Sequence, residues 1–152
     1  FNAQLYSTIS GKLVAEIFQR EPVAKVVGKE VFYIDTKGKK MPLSPSYTAS
    51  VPLIRGDLRE EHFREVSDAI AFLKAHPVYG EEILGLVEVR DSWYHLLLSS
   101  QQLEIELGDL KSLHSKMNNY SAFMIKAQKD MLLERYRKIS LAFDGQVVCT
   151  KI

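Results

Sequence analysis

Tight-turn signals set between short apolar runs constrain this chain more than any other feature. The segment "KISLAFDGQVVCTKI" (138–152) joins two such runs through Asp144-Gly145, and "EVFYIDTKGKKMPLSP" joins two more through Asp35-Thr36-Lys37-Gly38, with Pro42 and Pro45 closing it off. Pairs of this kind supply the backbone conformations that hairpins need. Near the amino end, "QLYSTISGKLVAEIFQREPVAKVVG" reads as two strands turning at Ser10-Gly11. Leu5, Ser7 and Ile9 alternate there with Gln4, Tyr6 and Thr8, and the second strand runs towards Pro22. Strands returning through turns this short pair in opposite directions, so the spacing predicts a mainly antiparallel sheet.

Two segments carry the helical period instead. In "DLREEHFREVSDAIAFLKAH" Phe63, Val66, Ile70 and Leu73 line one face; Asp57 and Glu60 form a capping-box pattern at its start, and Pro77 stops it. From Asp109 to about Arg137, Leu110, Leu113, Met117, Tyr120, Met124, Ala127 and Met131 recur at three and four. That stripe suits a long helix packed on a sheet, or a coiled coil, although its flanks lack a systematic charge code. Between the helices "LVEVRDSWYHLLLS" and "QQLEIEL" read as strands, with Leu103, Ile105 and Leu107 alternating against Glu104 and Glu106. The fold class that follows is α+β, a mainly antiparallel sheet with helices packed on one face.

At 152 residues the chain has room for one domain, or for one domain and a fragment of another. Twenty basic against nineteen acidic residues give a net charge of +1, which supplies no broad positive field for nucleic acid. The single cysteine, Cys149, has no internal disulfide partner and no CxxC spacing. No apolar run approaches the roughly 18 residues of a membrane span, and no signal peptide is visible. A start at Phe1 fits a processed or excised protein.

Chemistry is sparse. His62, His76, His95 and His114 lie on different elements without HExxH or HxH spacing, and there is no GxSxG, P-loop or GxGxxG. No cofactor and no metal site follows. Cys149, between Val148 and Thr150, has no adjacent base to activate it and reads as a small strand residue. Glu81-Glu82 and Glu104/Glu106 offer carboxylates, but Glu104 and Glu106 share a strand face that looks solvated. Trp93 is either a core aromatic or a recognition anchor.

The stretches "QREPVAKV", "YIDTKGKKMPLSPSY" and "KISLAFDGQVVCTKI" resemble FtsQ/DivIB, the bitopic bacterial cell-division family, in its Bacteroidetes form. The order of segments is similar over essentially the whole chain. The resemblance implies a β-hairpin remnant of a POTRA domain at 1–28 and the family's β domain at 29–152. It also implies an N-terminal helix anchoring the protein in the inner membrane, with this part in the periplasm. It further implies a scaffold without catalytic activity in the divisome, needed for septum formation, with partners of FtsB and FtsL type.

The carboxy-terminal ribbon is the expected contact. A two-residue type I′ turn at Asp144-Gly145 sets Leu141 opposite Val148, Ser140 opposite Cys149 and Lys138 opposite Lys151. Ile139, Leu141, Phe143 and Val148 then share the core side, and Ser140, Ala142, Val147 and Cys149 the other. Between Gln146 and Thr150 neither charge nor proline blunts the last strand, so its free edge can accept a partner strand. The resemblance agrees, since the family holds FtsB mainly at the last strand. The expected partner-binding residues are Phe143, Gln146, Val147, Val148, Cys149, Thr150 and Lys151. The alternative at this point is a ribbon that only completes the sheet.

Two further readings stay open. One is a small hydrolase-like enzyme whose site gathers dispersed His, Ser and Asp residues, such as His62, His95 and Ser99. The other is a POTRA-containing protein of outer-membrane assembly or secretion.

Overall fold

A computed structural model describes residues 2–100 and 103–152. Strands β1 (Asn2–Ser7) and β2 (Leu13–Phe18) form an antiparallel ribbon with Leu5 opposite Ala15 and Ser7 opposite Leu13. Thr8 and Gly11 close its turn: the Gly11 amide donates to the Thr8 carbonyl at 2.9 Å, with Gly11 at φ 75. This ribbon is a two-stranded sheet of its own, and Leu5, Leu13 and Ile17 are exposed on it.

All later strands join one nine-stranded sheet. Strand β3 (Pro22–Val27) pairs antiparallel with β4 (Val31–Asp35), which pairs with the short β5 (Lys40–Met41). On its other side β3 runs parallel to β6 (Leu53–Arg55). The ribbon and the large sheet therefore part at residues 19–21 rather than after Gly28, because β3 lies inside the sheet.

Residues 60–62 make one 3-10 turn before helix α1 (Phe63–Lys74). The expected capping box does not form. Asp57 Oδ1 instead accepts the Lys29 amide at 2.6 Å, which ties the β3–β4 turn to the segment after β6. Strands β7 (Ile83–Arg90), β8 (Trp93–Leu98) and β9 (Glu104–Gly108) follow as an antiparallel meander. Gln101 and Gln102 of the expected strand lie outside the described residues. Helix α2 (Leu113–Lys129) ends eight residues short of Arg137. The chain then passes through Met131 at φ 51 and a 3-10 turn at 133–135 into β10 (Tyr136–Ser140), and β11 (Val148–Lys151) closes it.

The sheet order is β11-β10-β9-β8-β7-β6-β3-β4-β5. Five of its eight pairings are antiparallel, so the expected class holds. Tight turns are not the only connections, however: β6–α1–β7 and β9–α2–β10 are parallel crossovers. Both step the same way along strands that point the same way. Right-handed crossing then puts both helices on one face. Phe72 of α1 and His114 of α2 confirm it, with ring centroids 6.3 Å apart.

One core fills the space between helices and sheet, from Ala24, Val26 and Ile34 through Ile54, Ile70, Leu86 and Tyr94 to Ile105, Met117, Ile139 and Leu141. The α2 stripe packs on the sheet rather than into a coiled coil, with Met117, Tyr120 and Ala127 buried and Met131 exposed beyond the helix end.

Candidate functional site at the carboxy-terminal edge

The sheet ends on β11, which has β10 on one side and no strand on the other among the described residues. Crossover α2 delivers β10 beside β9, with Ile139 opposite Ile105 and both fully buried. Beyond Ser140 the chain stays with β9: the Leu141 amide donates to the Glu106 carbonyl at 2.7 Å, and Leu141 is buried. The ribbon therefore cannot close on two residues. Residues 141–147 connect the strands, with a turn at 143–146 in which the Gln146 amide reaches the Phe143 carbonyl at 3.3 Å. Only Gly145 takes a positive φ in that turn, so it is not type I′.

The register is accordingly one residue away from the expected one. Ser140 faces Val148, Ile139 faces Cys149 and Lys138 faces Thr150. A slip of one exchanges the two faces. Cys149 and Val147 pack against the core, whereas Val148 is 42% exposed beside Ser140. Phe143, expected on the core side, is 56% exposed at the turn. Gln146, Thr150 and Lys151 are exposed. The observed register also separates Lys138 from Lys151, like charges that the expected one would have set face to face.

Main-chain direction follows from the same bonds. The Leu141 amide points to β9, so alternation turns the amides and carbonyls of Lys138 and Ser140 towards β11. Their partners Val148 and Thr150 point back to β10. The Ile152 amide also points inward, donating to the Arg135 carbonyl at 3.1 Å. Cys149 and Lys151 therefore carry the main-chain groups that face away from the sheet. Burial pushes the Cys149 thiol pKa up, which leaves it a poor nucleophile. Beside Ile152 opens a cleft of about 370 Å³ lined by Leu103, Tyr120, Met124 and Tyr136 together with Glu82 and Glu134.

The face of the sheet away from the helices carries a polar ladder across β8, β9 and β10. The Trp93 indole N–H donates to Glu106 Oε1 at 2.9 Å, and the Arg90 guanidinium lies 4.2 Å from the Trp93 ring centre. Lys138 Nζ stands 3.3 Å from Glu106 Oε2 and 3.6 Å from Glu104 Oε1, and His95 Nδ1 lies 3.0 Å from Glu104. Burial alone would raise the Glu106 pKa, but Trp93, Ser140 and Lys138 outweigh it and hold the carboxyl below its usual range. A carboxylate kept ionised in this way is no general acid. Trp93 is thus a ladder member, neither core nor free anchor.

The dispersed residues of the enzyme reading stay apart. His62 meets Ser92 Oγ at 3.1 Å and neighbours Arg59, Glu61, Glu65 and Asp91. His95 shares none of these partners, and Ser99 is held by its amide to the Glu82 carbonyl. His76 Nδ1 accepts the Val78 and Tyr79 amides. Among the described residues no group of three or more His, Cys, Asp or Glu is placed to hold a metal ion. None of the helices described is long and apolar enough to cross a membrane.

Residues 21–150 match the family described as FtsQ/DivIB, C-terminal related. The chain belongs to the FtsQ/DivIB family. It is 28% identical over 155 residues to the cell division protein FtsQ of Salinibacter ruber (strain DSM 13855 / M31), an alignment covering 92% of this chain and 60% of that relative. The chain thus spans about 60% of the length of the curated relative it matches. A solved structure, the major extracytoplasmic domain of the trans isomer of the cell division protein DivIB from Geobacillus stearothermophilus, is 14% identical at a TM-score of 0.45. It covers 75% of this chain and 97% of its own. The matched relative is a cell division protein.

Proposed function

We propose that this chain is a non-catalytic scaffold of the bacterial division machinery that takes up a partner strand along the outer edge of β11. The observation that carries this reading is the outward direction of the Cys149 and Lys151 main-chain groups on the last strand of the sheet. Strand addition satisfies such groups, and side chains at alternate positions select the partner. Val148 and Thr150 meet it on the ladder face; Cys149 and Lys151 meet it on the helix face, next to the cleft beside Ile152. With Lys138 engaged by Glu104 and Glu106, the exposed basic groups near the edge are Lys151, Arg135 and Arg137, and Glu134 is the exposed acidic neighbour of Arg135. An acidic segment of FtsB or FtsL type fits the basic groups. In the whole protein the ribbon of β1 and β2 ends a POTRA module, a helix upstream anchors it in the inner membrane, and this part works in the periplasm to support septum formation.

Two prolines test this. Lys151→Pro removes an outward amide at an edge position where proline is tolerated. It is expected to weaken capture of the FtsB-type partner about tenfold or more, roughly 1.4 kcal/mol, with little change in thermal stability. Val148→Pro removes an inward ladder donor and lowers stability instead. Wild-type affinity in the Lys151 variant contradicts strand addition.

A further inference from the structure

The ribbon of β1 and β2 is joined to the sheet by residues 19–21 alone, and among the described residues no other element packs broadly on either of its strands. Its apolar residues Leu5, Leu13 and Ile17 stay exposed, so burial does not hold it in place. Whatever fixes its orientation must act at the junction, and one side chain there is anchored. Arg20 Nε donates to Asp35 Oδ2 at 2.6 Å, and Arg20 Nη2 donates to the carbonyls of Lys39 at 3.1 Å and Lys40 at 3.3 Å.

The receiving end is rigid. Asp35 is 3% exposed, and its Oδ1 accepts the Lys37 and Lys39 amides at 2.9 and 2.8 Å. The Asp35 carbonyl accepts the Ser67 hydroxyl at 2.9 Å, which ties the β4–β5 turn to α1. Gly38 lies so close to Arg64 that a β-carbon there would come within 2.5 Å of its backbone. Asp35 also stands opposite Pro22, the first residue of β3. A planar guanidinium gripping a fixed carboxylate and two carbonyls resists rotation about the junction, which a single point charge would not.

We propose that Arg20 and Asp35 form a clasp that sets the orientation of the amino-terminal ribbon relative to the nine-stranded sheet. The clasp is independent of strand addition at β11. Through it the part of the protein upstream of the ribbon acquires a defined direction with respect to the docking edge.

Amide residual dipolar couplings measured on this chain test it. In the wild type, ribbon and sheet are expected to fit one alignment tensor. In Arg20→Gln the tensor of residues 3–17 is expected to fall at least twofold in magnitude, while the sheet couplings and the β1–β2 cross-strand contacts stay as they were. Arg20→Lys, which keeps the charge and loses the second direction of donation, is expected to fall between. The proposal is overturned if Arg20→Gln keeps one tensor of full magnitude, or if the wild type already needs two. It is equally overturned if the variant changes the sheet couplings or loses the ribbon's own pairing, because Arg20 would then be holding local structure rather than orientation.

Discussion

Ser140 and Val148 stand directly opposite each other across the last strand pair, with their main-chain groups turned towards one another. That pairing leaves the Cys149 and Lys151 groups facing outward. It also places Ile139 opposite Cys149 in a non-hydrogen-bonded pair, where Cα atoms approach to about 4.5 Å.

This separation suits a disulfide. Ile139→Cys is expected to cross-link to the native Cys149 on mild oxidation, whereas Ser140→Cys is not. Mass spectrometry of the non-reduced protein reads the result. A cross-link from position 140 instead would show the one-residue slip that the Asp144-Gly145 pair suggests.

Gly85 sits opposite Leu53 where β6 and β7 run parallel, at φ +152, and a β-carbon there would come within 1.7 Å of the Leu53 carbonyl oxygen. The two backbones would have to part. Gly85→Ala is expected to cost about 3 kcal/mol or more, or to prevent folding. Gly145→Ala, also at positive φ but with no atom within 4 Å, is expected to cost only about 1 kcal/mol. Urea midpoints of the two variants make the comparison, and equal losses would contradict the close approach.

Asp35 and Glu106 both have lowered pKa values. At Asp35 burial pushes upward and is outweighed by the Lys39 amide, Arg20 and the Lys37 amide. For carboxyls depressed on folding, the stabilising contribution is present above the unfolded pKa of about 4 and is lost as pH falls through the folded value. Melting temperature is therefore expected to hold between about pH 7 and 5 and to drop below about pH 4. Glu106→Gln is expected to cost about 1–2 kcal/mol at neutral pH and to make the acid slope shallower. An unchanged slope would remove Glu106 from the account.

Local pattern was legible where neighbours in sequence decide the outcome. The alternation of Ile105 and Leu107 with Glu104 and Glu106 marked β9, and the Phe63–Leu73 spacing marked α1. The parallel crossovers were not legible, because the pairing of Ile139 with Ile105 is decided by packing between residues far apart in the chain. The end of α2 was missed because Met131 adopts a conformation that its residue type does not signal. Register failed for a different reason. Turn chemistry at Asp144-Gly145 favours a two-residue hairpin, while burial of Leu141 and its bond to Glu106 keep the chain on β9 for longer. The like charges of Lys138 and Lys151 were the one signal against the tight register. The Arg20–Asp35 clasp joins residues whose meeting no local motif announces.

Amide hydrogen exchange along β11, with and without the extracytoplasmic segment of an FtsB-type partner, tests the docking edge most directly. The Val148 and Thr150 amides should already be protected in the free chain, and Cys149 and Lys151 should exchange freely and become protected on binding. Partner binding that leaves Cys149 and Lys151 exchanging as before would contradict strand addition at this edge.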